Sequence, residues 1–289
     1  DGVLYNKDGS ILIAYPSSKQ DKNFSIPATV EHVYGHAFDN QYIETLSISK
    51  YTNKMEGDDY WKSHFNTFSI LQCDNLQNII VDSSNENFSS EDGILYSKDK
   101  SKLLLYPSGK TNTTYNIPST VSGCGFTGYT IINPYLETIK VNSLISDLEI
   151  LTSITNLKNI EIDTENVNYT QKDGVAFSKN GDKLLYYPMG RTQDTYVIDS
   201  NVIEIGEGAF ENSKIKEITL PSNLTTIGNY AFYNCQNLND VTLPSTVTTI
   251  GNYAFYECKG FENIIFPSNL TKIGTKAFYK CSNMKEVIF

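Results

Sequence analysis

The chain has 289 residues and a mass of 32.4 kDa, enough for one or two domains with a real core. Its formal net charge of −10, from 33 acidic and 23 basic residues, argues against binding to nucleic acid or to anionic lipid, because both need a basic surface. No apolar run approaches the roughly 18 residues of a membrane-crossing helix, and 3 His with 5 Cys offer little for metal chemistry, so we expect no nucleic-acid partner, no membrane insertion and no cofactor.

Three segments of the chain have the pattern of a β-hairpin. In each, Asp-Gly and an apolar run precede a polar turn, and a second apolar run ending in Tyr-Pro follows. Turn residues between two apolar runs are typical of hairpins. Val81 and Ile117 lie 36 residues apart, as do Ile162 and Ile198, against 22 or 23 for the plain repeat described below, which indicates an insertion. We predict hairpin insertions at about 1–19, 92–110 and 173–191.

A stretch without the repeat pattern lies between the first two hairpins. The first and second Asp-Gly pairs are 91 residues apart and the second and third are 81 apart, and the extra residues fall at about 51–66. We predict a non-repeat insertion there, as a loop or short helix. Tyr60 and Trp61, with Tyr51 and Phe65 near them, are a candidate ligand-binding cluster because aromatic side chains often dominate binding. The alternative is that they pack the insertion onto the solenoid.

Two motifs have the spacing of a nucleotide site or a metal site, but the repeat explains both of them better than a ligand does. Gly123-x-Gly125-x-x-Gly128 matches the dinucleotide-binding fingerprint, but it falls where a repeat corner is due and not between a strand and a helix. His32 and His36 have the spacing of helical metal ligands, yet they lie on a predicted strand and corner without a suitably spaced third ligand. We therefore predict a degenerate repeat corner and no metal site.

Most of the cysteines occupy one position of the repeat. Cys235, Cys258 and Cys281 are 23 residues apart, and Cys73 takes the same repeat position. Side chains stacked on neighbouring turns do not favour the torsion of a disulfide, and one sulfur per turn is a poor set of metal ligands. We predict a ladder of buried thiols, because free Cys is among the most buried residue types.

The last third of the chain repeats a short motif at a fixed period. Ile-Gly-x-x-Ala-Phe begins at Ile227, Ile250 and Ile273, 23 residues apart, and also at Ile205, 22 residues upstream. An apolar-x-x-apolar-x-apolar segment follows each copy, and the same segment recurs less regularly upstream. A unit of this length cannot bury its own apolar face, whereas stacked neighbours can, so the pattern predicts a solenoid.

One repeat unit shows how the chain is expected to fold. The alternation at 241–243 predicts a short strand with one buried face, which the following proline ends. A second short apolar segment at 247–250 is expected to run back the other way. We predict a positive φ for Gly251 at the corner, and interior positions for Ala254 and Phe255.

The unit at 227–244 and the hairpin segments resemble the BspA-type leucine-rich repeat. The resemblance covers essentially the whole chain and is strongest over 200–289. It implies a β-rich leucine-rich-repeat solenoid, with short parallel strands stacked about every 22–23 residues, little helix and three inserted β-hairpins. Members of the family are mostly surface or secreted proteins of host-associated bacteria and some protists, and they are implicated in adhesion and in binding host matrix and plasma proteins.

The resemblance also implies a location and a function. We expect a single solenoid over 1–289, part of a longer chain with a signal peptide upstream, located at the cell surface or outside the cell. It implies a non-enzymatic, adhesin-like protein that binds host or neighbouring-cell proteins or glycans. The alternative is a structural spacer that presents another domain and has no ligand of its own. No catalytic triad is recognisable in the sequence.

The residues between the buried positions of each strand are the candidate binding surface. They point outwards, and stacking is expected to align them into two stripes along one face, the kind of extended surface that repeat proteins use for partners. Ile265 and Ile288 form an apolar patch that either contacts another chain or packs on further turns. The candidate ligand-facing residues are Asn78, Thr138, Lys140, Asn159, Glu161, Glu217, Thr219, Asp240, Thr242, Asn263, Ile265, Glu286 and Ile288.

Overall fold

The structure is a computed structural model that describes residues 2–35, 37–55, 73–125 and 130–288. These residues form short strands joined by tight turns, with a 3-10 helix at Leu148–Leu151. Within these ranges no helix has the length and apolar character that a membrane crossing requires. The strands up to the middle of the chain are β1 (Leu4–Tyr5), β2 (Ile11–Ala14), β3 (Asn23–Ser25), β4 (His32–Val33), β5 (Thr45–Ile48), β6 (Asn78–Val81), β7 (Phe88–Glu91), β8 (Ile94–Ser97), β9 (Lys102–Leu105), β10 (Thr114–Asn116), β11 (Gly123–Cys124) and β12 (Thr138–Val141). The strands that follow are β13 (Asn159–Ile162), β14 (Tyr169–Lys172), β15 (Val175–Ser178), β16 (Lys183–Tyr186), β17 (Thr195–Val197), β18 (Glu204–Ile205), β19 (Glu217–Thr219), β20 (Thr226–Ile227), β21 (Thr249–Ile250), β22 (Asn263–Ile265), β23 (Lys272–Ile273) and β24 (Glu286–Ile288).

The chain divides into two compact units, each with its own buried cluster of apolar residues. The first unit consists of Asp1–Thr113, Ile117–Leu136 and Leu144–Thr155. The second unit consists of Thr114–Asn116, Glu137–Ser143 and Asn156–Phe289. The organisation of 1–289 as one solenoid domain stays a prediction.

In the first unit, each turn of the chain adds a strand parallel to the strand of the turn before. β5 pairs in parallel with β3 on one side and β6 on the other, so that Thr45 lies opposite both Asn23 and Asn78. A second parallel line joins β2 to β4 and β9 to β11. Alternate residues of the strands, such as Leu46 and Ile79, are fully buried and form the core between the two lines.

The second unit has the same two lines of parallel strands. One line runs without interruption through β16, β18, β20, β21 and β23, and the other consists of β10-β12-β13, β17-β19 and β22-β24. Phe210, Phe232 and Phe255 are fully buried, and neighbouring rings stack at centroid distances of 4.9 and 5.0 Å. The predicted leucine-rich-repeat solenoid is confirmed, because identical residues of successive turns stack to build the core.

The three predicted hairpins are confirmed, with β1-β2, β8-β9 and β15-β16 as antiparallel pairs. The sequence pattern does not predict the further strands β7 and β14, which pair antiparallel with β8 and β15. Asp92-Gly93 and Asp173-Gly174, expected at the start of a hairpin arm, are instead the two-residue turns between these strands. The φ values are 49° for Asp92 and 50° for Asp173, and 75° for both glycines. Positive φ at both central residues is typical of the type I′ turn, whose twist suits a hairpin.

The glycine of the Ile-Gly-x-x-Ala-Phe motif has a different role from the predicted one. The left-handed residue at the corner is Tyr253, with φ of 54°, and not Gly251, so the predicted positive φ is wrong. A Cβ atom at Gly251 would lie 2.5 Å from backbone atoms of Gly228 and Asn229 on the preceding turn. Glycine is therefore required here because two backbones approach closely.

The strand predicted at 241–243 is not formed, although both of its apolar residues are buried as expected. The carboxylate of Asp240 accepts hydrogen bonds from the backbone N–H groups of Glu262 at 2.6 Å and Asn263 at 2.9 Å. In a parallel ladder such N–H groups bond to carbonyl oxygens of the preceding strand. The Asp240 side chain thus replaces a strand ladder between these two turns.

Candidate functional site

The candidate ligand-facing residues lie on the outer side of their segments, and all of them are exposed or half-buried. Of the residues that alternate with them, Ile139, Ile160 and Ile264 are buried, whereas Val287 is exposed. The period-two alternation that predicts one buried and one outer face is therefore confirmed in β12, β13 and β22 but not in β24, whose three residues are all exposed. That this outer face binds a ligand stays a prediction.

Two of the candidates contact the turns of the inserted hairpins. In the first unit, the backbone N–H after Asn78 donates to the carbonyl oxygen of Gly93 at 3.0 Å. In the second unit, the N–H after Asn159 donates to the carbonyl oxygen of Gly174 at 3.1 Å. A Cβ atom on either glycine would meet the asparagine side-chain oxygen, at 2.6 Å and 2.3 Å respectively. The hairpin turns therefore cover the edges of β6 and β13, while Asn78 stays exposed and Asn159 half-buried.

The candidates on β12 and β13 pair with each other. Thr138 lies opposite Asn159 and Lys140 lies opposite Glu161 in parallel register. The Lys140 ammonium and the Glu161 carboxylate form an ion pair at 2.9 Å, with both side chains about half exposed. An exposed pair of this kind stabilises the fold by at most about 1 kcal/mol, so it remains available to exchange partners with a ligand.

A row of exposed β-branched side chains follows the strand face of the second unit. We call Val197, Thr219, Thr242, Ile265 and Ile288 the outer row. Val197 lies opposite Thr219 and Ile265 lies opposite Ile288, while Thr242 has the same repeat position in the turn between them. The exposed fractions are 69% for Val197, 62% for Ile265 and 39% for Ile288. Ile265 and Ile288 are adjacent exposed apolar side chains, which are typical of a contact surface, and two threonines separate them from Val197.

A polar row runs beside the outer row. It consists of Thr195, Glu217, Asp240, Asn263 and Glu286, of which three are acidic. Partial burial raises the pKa of Asp240, but the hydrogen bonds that its carboxylate accepts from the next turn outweigh this and hold the pKa below its usual value. The polar row therefore carries negative charge at neutral pH. Val197 and Thr195 are missed by the sequence pattern because their segment lacks the complete apolar-x-x-apolar-x-apolar motif.

The thiol ladder is confirmed in the second unit. Cys235, Cys258 and Cys281 are buried and free, and each thiol donates to the backbone carbonyl oxygen of a phenylalanine on the preceding turn at 3.0 to 3.1 Å. Burial raises the pKa of Cys235 to about 12 and that of Cys281 to about 11. Because the thiolate is the nucleophile and the metal ligand, these protonated thiols are chemically inert.

The remaining motifs belong to the repeat or fall outside the described residues. Gly123 forms part of β11, and Gly125 packs against Leu104, as a repeat corner does. His32 lies on β4 with its ring 5.3 Å from that of Tyr34. In the described part of the chain, no three His, Cys, Asp or Glu side chains are grouped closely enough for a metal ion. The sequence candidates outside the described residues are His36, Tyr60, Trp61, Phe65 and Gly128.

A groove that the sequence pattern did not single out lies at the corners of the second unit. We call it the tyrosine groove, and its volume is about 550 Å³. Two columns of stacked rings form its walls, with Tyr230 on Tyr253 at 5.1 Å and Tyr233 on Tyr256 at 4.9 Å between centroids. Rings of the two columns meet at angles of 58° and 49°. The lining residues are Glu211, Tyr230, Tyr233, Tyr253, Tyr256 and Lys276. The sequence feature that could have indicated this groove is Tyr-Ala-Phe-Tyr, which recurs at the period of the repeat.

Comparison with protein families identifies the repeats. Residues 189–289 match the family described as BspA type leucine rich repeat region, in 6 copies. The resemblance stated from the sequence is therefore confirmed for 189–289, and over the rest of the chain it stays a prediction. No curated protein matches the chain in sequence.

The fold is similar to those of solved bacterial leucine-rich repeat proteins. The pneumococcal vaccine antigen PcpA is 17% identical over 99% of this chain and 81% of its own, with a TM-score of 0.58. A leucine-rich repeat protein from Eubacterium ventriosum is 18% identical over 98% of this chain and 81% of its own, with a TM-score of 0.55. A leucine rich cell surface protein from Faecalibacterium prausnitzii is 17% identical over 100% and 93%, with a TM-score of 0.51. At these identities the likeness concerns the fold alone.

Proposed function

We propose that the chain is a protein-interaction solenoid that binds its partner through the outer row of the second unit. Leucine-rich-repeat solenoids typically present extended faces to partners and are typically not enzymes. The observation that carries the proposal is the exposure of Val197, Ile265 and Ile288 in one row of the strand face. A row of aliphatic side chains on a sheet loses contact with water only when another surface covers it.

Burial of this row supplies the affinity. Covering a Val or Ile side chain completely contributes about 1.5–3 kcal/mol, before the cost of association is subtracted. The acidic side chains of the adjacent polar row, Glu217, Asp240 and Glu286, form a negatively charged rim. Rim charges mainly set the association rate and the choice of partner. The expected partner surface is therefore an apolar strip beside lysine or arginine side chains, and its association should slow as salt concentration rises.

The partner that we propose is a protein, or secondarily a glycan, of a host or of a neighbouring cell, and the proposed location is the cell surface or the extracellular space. The similarity in fold to a pneumococcal vaccine antigen and to a bacterial cell surface protein supports this location. An adhesin-like role follows from this location and from the outer row together.

A binding screen tests the proposal. Fibronectin, fibrinogen, collagen, mucin and a glycan array are titrated with the wild-type chain and with the double variant Ile265→Glu/Ile288→Glu, at low and high salt. Both side chains are exposed, so the variant keeps the core intact. Because central apolar contacts dominate interfaces, we expect the variant to bind at least about tenfold more weakly than the wild type.

The matched control is Ile203→Glu/Ile273→Glu, which places the same two charges on isoleucines that are exposed to a similar degree but lie outside the outer row. It should bind like the wild type. Equal affinity of the double variant would contradict the proposed face. Absence of binding across the panel would contradict the proposed function and favour the alternative of a spacer without a ligand.

A further inference from the structure

The tyrosine groove of the second unit is a second binding site, and we propose that it binds a proline-rich peptide in the polyproline II conformation. The proposal is independent of the outer row, because the groove lies at the corners of the repeat and shares no residue with the strand face. Its evidence comes from backbone conformation, from the geometry of the rings and from the charges at the ends of the groove.

The corner of the repeat at the groove has a left-handed backbone conformation in each turn, and two of the turns place tyrosine there. Tyr230 and Tyr253 both have a φ of 54°, in the left-handed region that bulky residues rarely adopt. The equivalent residue of the preceding turn is Gly208, which adopts a φ of 62° without this cost. Lys276, at the same position of the following turn, also has a φ of 54°. Glycine would fit this corner best, and the two turns that form the groove have a large aromatic ring there instead.

The spacing of the rings matches a polyproline II helix. Rings within a column are 4.9 to 5.1 Å apart, and the helix has three residues per turn with a rise of about 3.1 Å per residue. One helical turn therefore spans about two steps of a column, which is the span from Tyr233 through Tyr256 to Tyr279, so prolines three residues apart can meet Tyr233 and Tyr279. The walls formed by tilted rings are the aromatic-lined groove that such peptides occupy in known recognition modes.

The hydroxyl groups favour a peptide over a sugar. The backbone carbonyls of a polyproline II helix have no internal hydrogen bonds, and Tyr230, Tyr233 and Tyr253 have hydroxyl groups without a hydrogen-bond partner among the described residues. A sugar ring would stack on an open aromatic face, and stacking within each column covers one face of every ring. Ring edges and hydroxyl groups therefore form most of the lining that a ligand meets.

The ends of the groove carry opposite charges. Glu211 lies at one end, and no lysine or arginine of the described ranges forms an ion pair with it. Glu211 is exposed, so its carboxylate is open to a cation of the ligand. At the other end, the Lys276 ammonium lies 5.6 Å from the ring centroids of both Tyr253 and Tyr279. The complementary peptide has arginine or lysine on one flank and aspartate or glutamate on the other.

Fluorescence polarisation with the whole chain tests this site. The probe is a fluorescein-labelled peptide with repeated Pro-Pro-Ala, arginine at one end and aspartate at the other. The control probe has glycine and serine in place of the prolines and the same charged ends. We expect saturable binding of the proline-rich probe only, because the polyproline II helix is formed before binding and loses little entropy.

The variant that removes one ring is Tyr253→Asn. Asparagine is among the few residues that adopt the left-handed conformation readily, so this change leaves the backbone relaxed. We expect binding at least about tenfold weaker, as for an aromatic anchor. The matched control is Tyr135→Asn, which removes an exposed tyrosine outside the groove and should have no effect.

A second variant tests the charge at the end of the groove. Glu211→Gln should weaken binding of the arginine-bearing peptide but not of the same peptide with uncharged ends, whereas Glu217→Gln on the polar row should weaken neither. Absence of saturable binding to the proline-rich probe would overturn the proposal. So would equal affinity for the glycine-serine probe, wild-type affinity of Tyr253→Asn, or binding of chitooligosaccharides alone. The Ile265→Glu/Ile288→Glu variant should bind the peptide normally, which separates this site from the outer row.

Discussion

Two regions of the second unit hold successive turns together by different means. Beside the third hairpin, the buried amide of Asn166 donates to the carbonyl oxygen of Asn142 at 2.9 Å and accepts from the backbone N–H groups of Asn168 and Tyr169 at 2.9 and 3.0 Å. In the last turns, identical side chains of the repeat stack on each other instead, as phenylalanine rings, thiols and tyrosines. Where an insertion interrupts the period of the repeat, side-chain hydrogen bonds connect successive turns in place of stacked identical side chains.

The first unit uses the same device at its own hairpins. Asn133 donates to three backbone carbonyl oxygens at 2.9 to 3.0 Å and accepts two backbone N–H groups at 2.9 Å. Asn40 makes an equivalent set of bonds beside the first hairpin. Both side chains are almost completely buried. We therefore expect that removal of a buried asparagine amide near a hairpin lowers the free energy of unfolding strongly. In the regular turns, we expect the largest loss of stability where a new side chain meets the backbone of the preceding turn.

The largest effect is expected for Gly251→Ala in the regular turns. The new methyl group would meet backbone atoms of the preceding turn at 2.5 Å, and neither backbone can move without breaking the stack. We expect a loss of about 4 kcal/mol in the free energy of unfolding, at the upper end of overpacking effects. Urea denaturation followed by circular dichroism measures it.

The control is Gly181→Ala, at a hairpin turn with open space around the glycine and a φ of 77°. It carries only the cost of the left-handed conformation, about 1 kcal/mol. If the two variants were equally stable, close backbone approach would not be the reason for glycine in the repeat motif.

The next effect concerns the hairpin region. Asn166→Ala leaves one backbone carbonyl and two backbone N–H groups without their partner in a buried site. Unsatisfied buried groups cost about 1–3 kcal/mol each, and partial relaxation brings the expected total to about 3 kcal/mol. Denaturation of Asn168→Ala is the comparison, because that side chain is exposed and its loss should change stability by less than about 0.5 kcal/mol. Similar free energies of unfolding for the two variants would contradict the stabilising role of the buried amides.

The stack of turns can be predicted from the sequence, whereas the roles of Gly251 and Asn166 cannot. The period of Ile-Gly-x-x-Ala-Phe predicts the stack because buried apolar residues repeat visibly. The role of Gly251 cannot be predicted from the sequence, because a glycine required by close backbone approach and a glycine required by a positive φ look identical there. Asn166 and Asn133 are missed because asparagine usually indicates a surface turn, and only the fold shows their burial. The tyrosine groove is missed because its rings belong to corners and not to strands.

The thiol ladder predicts a pH effect of intermediate size. The folded pKa of Cys258 is raised by burial above its unfolded value of 9.0. The stabilisation is therefore complete below pH 9 and declines as the pH rises towards the folded pKa, by up to about 1.4 kcal/mol per pH unit for one thiol. Cys258→Ser keeps a donor to the Phe232 carbonyl oxygen but does not ionise in this range. Between pH 8 and pH 10, the variant should lose about 1 kcal/mol less stability than the wild type, and equal losses would contradict the role of the thiol.

The smallest effect concerns the strained tyrosines. In Tyr253→Asn, relief of the left-handed conformation, about 1–2 kcal/mol, offsets the lost ring stacking, about 0.5–1.5 kcal/mol, so stability should change by less than about 1 kcal/mol. Tyr256 is stacked in the other column without a positive φ. Tyr256→Asn should therefore be the less stable of the two in thermal denaturation. The reverse order would show that the strain at Tyr253 is not real.

Amide hydrogen exchange of the whole chain, with and without the partner that binds most tightly in the screen, tests whether the outer row of the second unit contacts a protein partner, as we propose. We expect slowed exchange in β19, β22 and β24, with unchanged exchange in β20, β21 and β23 on the other line of strands. Protection confined to β20, β21 and β23, or to the first unit, would contradict it.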